Sequence, residues 1–145
     1  MKTTPLARFF RGISLLLTIA LSPMGLWAQP QQCPLQNATL DGGYVSHATG
    51  FAGGNPLAVV GITTYDGHGN FQLSATVSVN GTILRPPTGT GTYTVNGDCT
   101  GSQTLGSSNY DFVVTPDGRE VTYISTNPGT VITVTSVRLV SKGEQ

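Results

Sequence analysis

The residues of this chain with acid–base potential are two histidines and seven acidic residues. A histidine beside a carboxylate can act as a general acid–base pair, and a serine next to them would complete a hydrolytic triad. His47 lies in an early stretch close to glycine-rich sequence, and His68 lies at the tip of a turn. No Gly-x-Ser-x-Gly elbow, zinc-protease motif or phosphate-binding loop accompanies them. The sequence therefore favours a non-catalytic protein without a cofactor, and an acid–base enzyme is the open alternative.

The segment Asp66-Gly67-His68-Gly69-Asn70 places oxygen- and nitrogen-bearing side chains at alternate positions, as the start of a calcium loop does. An EF-hand loop continues with glycine at its sixth position and glutamate at its twelfth. Those positions here hold Phe71 and Val77, which are both apolar. We therefore interpret the segment as a glycine-rich hairpin turn and predict no metal site.

Cys33 and Cys99 are the only cysteines of the chain. In an exported protein, a single pair is most simply a disulfide. Metal binding would need further ligands, which only His47 and His68 offer. We predict the disulfide, which would attach the start of the mature chain to the body of the domain.

The N-terminal residues 1–28 have the three parts of a secretory signal peptide. Lys2, Arg8 and Arg11 form a positive region, and residues 12–21 form an apolar region too short to span a bilayer. Ala28 is a small residue at the expected cleavage position. Residues 29–145 then form a single domain, which we expect to be secreted or periplasmic and not inserted in a membrane.

The mature chain keeps all seven acidic residues but only four of the seven basic ones, so its formal charge is −3. This balance provides no basic patch and argues against nucleic acid and anionic membrane surfaces as partners. The polar strand positions are rich in Thr, Ser and Asn, which suits a solvated sheet and equally a contact surface for an envelope or extracellular partner.

Apolar and polar residues alternate along the mature chain, most clearly from Phe71 to Asn80. A period of two predicts a strand with one buried and one exposed face. The pattern predicts strands over 39–47, 57–65, 70–79, 82–85, 90–96, 99–105, 109–115, 119–126 and 130–140. Short strands at intervals of about ten residues predict an all-β fold, namely a small up-and-down antiparallel barrel of about eight strands. A two-sheet sandwich is the alternative.

Asn80-Gly81 is the preferred pair for a two-residue hairpin turn, because both positions tolerate positive φ. Such a turn pairs Val79 with Thr82 and Val77 with Leu84. We expect the second pair to lie on the core side of the sheet.

Pro116-Asp117-Gly118 suits a type I turn followed by a left-handed glycine. Pro86-Pro87 cannot lie in a central strand, so we predict a loop or a sheet corner over 85–89. We also interpret the glycine-rich stretch 50–54 as a loop.

Residues 91–102, with the sequence GTYTVNGDCTGS, resemble a motif of small exported bacterial proteins of unassigned function. Those proteins also have stretches similar to residues 66–70, 77–81 and 127–130, so the resemblance covers about residues 39–135. They resemble the calycin-like barrels of the allene oxide cyclase type. The resemblance implies a closed barrel of about eight strands. It does not imply the cyclase reaction, because no catalytic residue of that enzyme matches a position here.

The aromatic residues are distributed over most of the predicted strands. We expect side chains to fill the barrel interior, and a cavity for one small apolar ligand is the alternative. In a hollow barrel the tyrosine hydroxyls would be the polar contacts. The candidate ligand-binding residues are Tyr65, Phe71, Tyr93, Phe112 and Tyr123.

The predicted function is therefore binding of a small apolar molecule, or of a surface partner, by an exported β-barrel. Two alternatives stay open. One is a cyclase- or isomerase-like enzyme that uses the barrel interior. The other is a structural or adhesive protein of the cell envelope.

Overall fold

The computed structural model describes residues 32–140. The predicted signal peptide, residues 1–28, lies outside the described residues. A short 3₁₀ helix, Gln36–Thr39, precedes nine strands. The strands are β1 (Asp41–Ala52), β2 (Asn55–Asp66), β3 (Asn70–Val79), β4 (Thr82–Leu84), β5 (Gly89–Val95), β6 (Thr100–Leu105), β7 (Ser108–Val114), β8 (Glu120–Ser125) and β9 (Thr130–Arg138). Within residues 32–140, no helix is long and apolar enough to cross a membrane.

Eight of these strands close into an antiparallel barrel, which confirms the predicted architecture over the two-sheet sandwich. The order around the wall is β2-β1-β9-β8-β7-β6-β5-β3, and β3 pairs again with β2. Every neighbouring pair is antiparallel, as short connections require. Closure gives each of these eight strands a partner on both sides.

The Asn80-Gly81 turn joins β3 to β4 with the predicted register, Val79 opposite Thr82 and Val77 opposite Leu84. Both turn residues have positive φ, 47° and 84°, as a type I′ hairpin requires. The expected burial of Leu84 is wrong, because 49% of its surface is exposed. The reason is that β4 pairs only with β3 and has no strand on its other side.

The first hairpin is longer than the sequence pattern predicted. The expected strand ended at residue 47 and a loop was expected over 50–54, but β1 continues to Ala52. Two ladders hold this extension, since Phe51 pairs with Pro56 of β2 and with Val131 of β9. The glycines of this stretch made it resemble a loop, and its inward positions, Gly50 and Ala52, are only half-buried.

The wall between β4 and β5 is interrupted at residues 85–88, where the prolines Pro86 and Pro87 lie. This confirms the predicted loop. β3 pairs with β4 at its end and with β5 at its start, and residues 74–76 between the two ladders pair only with β2. The barrel wall is therefore thinnest beside the double proline.

The predicted disulfide between Cys33 and Cys99 is present, with a Cα–Cα distance of 5.0 Å. Cys33 also donates its backbone N–H to the carbonyl of Gly97, in the turn between β5 and β6, at 2.8 Å. Tyr93 extends its hydroxyl to the carbonyl oxygens of Asn37 and Leu40. The N-terminal segment and its 3₁₀ helix thus cover one end of the barrel.

Candidate functional site

The two ends of the barrel interior differ. The end covered by the N-terminal segment is packed solid by buried side chains that include Cys33, Leu40, Tyr44, Val95, Val114 and Val121. The opposite end is bordered by the tips of the β1–β2 and β3–β4 hairpins and by residues 85–88. The interior is therefore neither fully filled, as we expected, nor hollow throughout.

The open half contains a cavity of about 320 Å³. This volume corresponds to about ten water molecules at about 30 Å³ each, and it lies at the lower end of the range for small-molecule sites. Apolar side chains form most of its wall, among them Leu57, Val59, Leu73, Val77, Ile132 and Val134. Pro86 and Pro87 border it at the interruption of the wall.

The five candidate aromatic residues are all buried, but they divide between the two halves of the interior. Phe71 and Tyr123 line the cavity. Tyr65, Tyr93 and Phe112 belong to the packed core. The ring of Tyr65 meets that of Tyr93 edge-on, with 5.0 Å between ring centroids. Tyr65, Tyr93 and Phe112 are not among the residues that border the cavity.

Two glycines create the space for the phenylalanine rings. A Cβ added to Gly91 would lie 2.5 Å from the ring of Phe71, and one added to Gly101 would lie 2.3 Å from the ring of Phe112. Each ring thus lies flat over the backbone of the neighbouring strand, where only glycine leaves room. The positions of the two rings inside the barrel therefore depend on one glycine in each neighbouring strand. These are Gly91 of β5 and Gly101 of β6.

A group of hydroxyls forms part of the cavity floor. Ser46 hydrogen bonds to Thr63 at 2.8 Å and to Ser136 at 2.7 Å, and all three residues are buried. Because Ser46 comes from β1, Thr63 from β2 and Ser136 from β9, this group crosses three adjacent strands of the wall.

The polar floor continues across the barrel. The Tyr123 hydroxyl hydrogen bonds to that of Tyr65, and Tyr65 donates to Oε1 of Gln103 at 3.2 Å. Gln103 is part-buried and lines the cavity. The hydroxyls and the amide together make one polar band beneath an otherwise apolar space.

Burial keeps the interior tyrosines neutral. It raises the pKa of Tyr123 and of Tyr93 to about 12 in each case. It also raises the pKa of Tyr65 well above the ordinary value, and the neighbouring Tyr123 hydroxyl adds to this shift. At neutral pH these groups act as hydrogen-bond donors and acceptors and carry no charge.

The carboxylates lie outside the cavity. All the aspartates and the one glutamate within residues 32–140 are exposed, as are His47 and His68. His47 alone among these residues borders the cavity, and it is exposed while Ser46 and Ala48 on either side are buried. The described part of the cavity wall thus has no carboxylate, lysine or arginine.

The Asp66 turn uses its carboxylate to hold itself together. Oδ1 accepts the backbone N–H of His68 at 2.8 Å and of Asn70 at 2.9 Å, and Oδ2 accepts the Asn70 side chain at 2.7 Å. These bonds, chiefly the one from the Asn70 side chain, lower the pKa of Asp66 to about 2. The alternating side chains that resembled a calcium loop therefore close a hairpin turn.

Comparison with family models, curated proteins and solved structures gives no match. The functional interpretation of this chain rests on its own geometry.

Sequence reasoning missed the polar floor residues Ser46, Thr63, Gln103 and Ser136. Their alternation was visible, because each lies two positions from a residue that also faces inward, such as Tyr44 or Leu105. Small polar residues at inward positions usually indicate either close strand packing or an internal hydrogen-bond network. Which of these applies depends on contacts across the barrel, and the sequence alone does not give those.

Proposed function

We propose that this protein is an exported β-barrel that binds a small apolar molecule in the open half of its interior. The observation that carries the proposal is the cavity of about 320 Å³ with aliphatic walls and a narrow polar floor. Burial of an apolar molecule against such walls is favourable in proportion to the area removed from water. A few fixed polar groups in an apolar pocket are the usual pattern of ligand sites.

Binding is better supported than acid–base catalysis. A cyclase- or isomerase-like reaction would need a proton acceptor or donor with a pKa near the operating pH beside the ligand. The buried and part-buried polar side chains of the described cavity wall are hydroxyls and an amide, with the pKa of Tyr123 raised to about 12. The imidazole on this wall is that of His47, which is an exposed residue. These groups suit recognition of a bound molecule rather than its conversion.

The proposal is tested by filling the cavity. Ala75 lines the cavity from β3, whereas Ala58 of β2 is exposed on the outer face, so A75F and A58F are matched variants. We expect wild type and A58F to bind tetralin or 1-tetralone and to gain thermal stability, by the mass action of a ligand that binds only the folded state. We expect A75F to lose at least tenfold in affinity for both probes, measured by isothermal titration calorimetry.

Two results would contradict the binding proposal. One is the absence of binding of either probe to wild type, with a screen of other lipophilic compounds by thermal shift also negative. The other is equal affinity for A75F and A58F, which would place the bound molecule outside the cavity.

Export is part of the proposal. A disulfide between Cys33 and Cys99 is compatible with an oxidising compartment, whether a periplasm or the extracellular space. The resemblance to exported calycin-like barrels and the signal-like residues 1–28 support the same assignment. The test is N-terminal sequencing of the protein recovered from each compartment, with a mature chain starting near Gln29 expected. Recovery of an uncleaved cytoplasmic chain would contradict it.

A surface partner is the second candidate, because the outer wall carries an exposed apolar row. Val45 of β1 is flanked by Ile62 of β2 and Val137 of β9, and all three are exposed. Exposed apolar patches of this kind can serve as protein contacts. The test is a pull-down from the envelope with the mature domain and with its V45D variant. Equal recovery of the same proteins by both would exclude this row as a contact surface.

A further inference from the structure

The hydrogen bonds on the cavity floor have a direction. Oε1 of Gln103 is an acceptor only, so the Tyr65 hydroxyl must use its proton on that bond. The bond between Tyr65 and Tyr123 then requires the Tyr123 hydroxyl to donate. Both tyrosine protons are therefore consumed inside the floor and are not offered to a ligand.

The serine and threonine hydroxyls hydrogen bond mainly to one another. Ser46 bonds to both Thr63 and Ser136, so two of the three hydroxyl protons are used within this group. Ser46 gives its proton to one neighbour and accepts the proton of the other.

The donor of the floor that carries two N–H groups is the amide Nε2 of Gln103. The oxygen of the same amide is engaged by Tyr65, and no hydrogen bond from the nitrogen is found within residues 32–140. Gln103 lines the cavity from β6. A molecule in the cavity thus meets an N–H donor at one point of the floor.

The rest of the cavity excludes charge. Apart from His47, which is an exposed residue, the described wall contains no basic side chain to pair with an anion, and it contains no carboxylate to pair with a cation. An ionised ligand would lose its hydration without gaining a counter-ion, at a large cost in free energy. A ligand without any acceptor would leave the amide N–H without water or partner, which is also unfavourable.

We propose that the cavity selects neutral apolar molecules that carry one carbonyl-type acceptor, and that this oxygen accepts the N–H of Gln103. This selectivity rests on the ligand-binding function proposed above. The chemical class is thus a compact ketone, aldehyde, ester or lactone with a hydrocarbon body.

The test compares 1-tetralone with tetralin, which have the same ring skeleton but differ by a carbonyl in place of a methylene. The quantity measured is the ratio of the two dissociation constants, tetralin over 1-tetralone, by calorimetry. We expect the Q103L variant to lower this ratio about tenfold relative to wild type, because the carbonyl loses its donor in a dry site. The control is Q72L, the same substitution at an exposed position of β3, which leaves the ratio unchanged.

A second measurement needs no variant. The carbonyl stretching frequency of 1-tetralone bound to wild type is expected to lie below its value in an apolar solvent, because a hydrogen bond weakens the C=O bond. An unshifted frequency would overturn the proposal even if Q103L did not fold.

The outcomes separate this inference from the function on which it rests. If both probes bind but the ratio is the same in wild type and Q103L, carbonyl selection by Gln103 is overturned and apolar binding stands. If T63V, and not Q103L, abolishes the preference, the donor to the carbonyl belongs to the group of Ser46, Thr63 and Ser136, and the assignment to Gln103 is wrong. If neither probe binds wild type, the binding function and this inference fail together.

Discussion

Tyr44 shows how a single hydroxyl contributes to this fold. Its side chain is fully buried, and its hydroxyl donates to the carbonyl of Gly118 at 2.6 Å. Gly118 is itself buried in the turn between β7 and β8, so its carbonyl depends on this donor. The bond joins β1 to a turn 74 residues later in the chain.

The Y44F variant is expected to lose about 1–3 kcal/mol of unfolding free energy, because the Gly118 carbonyl stays buried without its donor. Urea denaturation followed by circular dichroism measures the change. Y110F is the control, since Tyr110 is only partly buried and no hydrogen bond from its hydroxyl to a carbonyl is found within residues 32–140. Equal losses of unfolding free energy for both variants would mean that the hydrogen bond from Tyr44 to Gly118 does not stabilise the fold.

At the scale of strands and turns, the disulfide holds the N-terminal segment onto the barrel. The segment 32–40 contains no strand. Its 3₁₀ helix contacts the barrel mainly at β5. Cys33 and Cys99 are separated by 66 residues along the chain. Linking them restricts the unfolded chain far more than it changes the folded one.

The double variant C33A/C99A is therefore expected to reduce the unfolding free energy by about 4 kcal/mol, the chain-entropy value for a loop of this length. Chemical denaturation of the oxidised wild type and of the variant gives the difference. A reductant should lower the stability of wild type to that of the variant and leave the variant unchanged. A reductant effect on the variant would show that the loss has another origin.

Gly101 is a strand position at which an added side chain would clash with its surroundings. An added Cβ would lie 2.3 Å from the Phe112 ring and 2.4 Å from the carbonyl oxygen of Thr94. We expect G101A to cost about 1–3 kcal/mol, because the ring and the neighbouring strand must move. G97A is the matched control, since a Cβ there meets nothing within 4 Å, and it should change stability by less than about 0.5 kcal/mol. The same unfolding midpoint for both variants would contradict this account of β6.

At the scale of the whole molecule, the local sequence predicted the strands and turns well. It predicted less well where along the barrel axis each inward side chain lies. The Asn80-Gly81 pair fixed a register that the structure confirms, because a two-residue turn leaves only one pairing. Alternation predicted that Phe71 and Tyr93 face inward, and both do. It did not predict that Phe71 borders a cavity while Tyr93 contacts the N-terminal segment, since depth depends on the tilt of the closed barrel.

The polar floor lay beyond sequence reasoning for a related reason. Tyr65 and Gln103 are hydrogen-bonded, yet their strands, β2 and β6, are separated in the sheet by β3 and β5. Such a contact exists only because the sheet closes and brings distant strands face to face. Turn motifs and pairing patterns describe residues of the same or neighbouring strands, so they do not predict this contact across the barrel.

The aromatic interior makes the whole barrel sensitive to alkali. Burial raises the pKa of Tyr93 and of Tyr123 to about 12, and that of Tyr65 also lies well above its ordinary value. In the unfolded chain the same hydroxyls ionise near pH 10, so between pH 10 and 12 the folded state holds more protons. The stabilisation linked to these groups is complete below pH 10 and is lost as the pH rises through 12.

We therefore expect the unfolding free energy to fall steeply between pH 10 and 12, and tyrosinate absorbance of the folded protein to rise only as it unfolds. Urea titrations at stepped pH and absorbance near 295 nm measure the two effects. The protein denatured in urea is the control and should ionise near pH 10. Ionisation of the interior tyrosines at pH 10 with the fold intact would mean that water reaches the floor, and the dry, uncharged cavity inferred here would then be wrong.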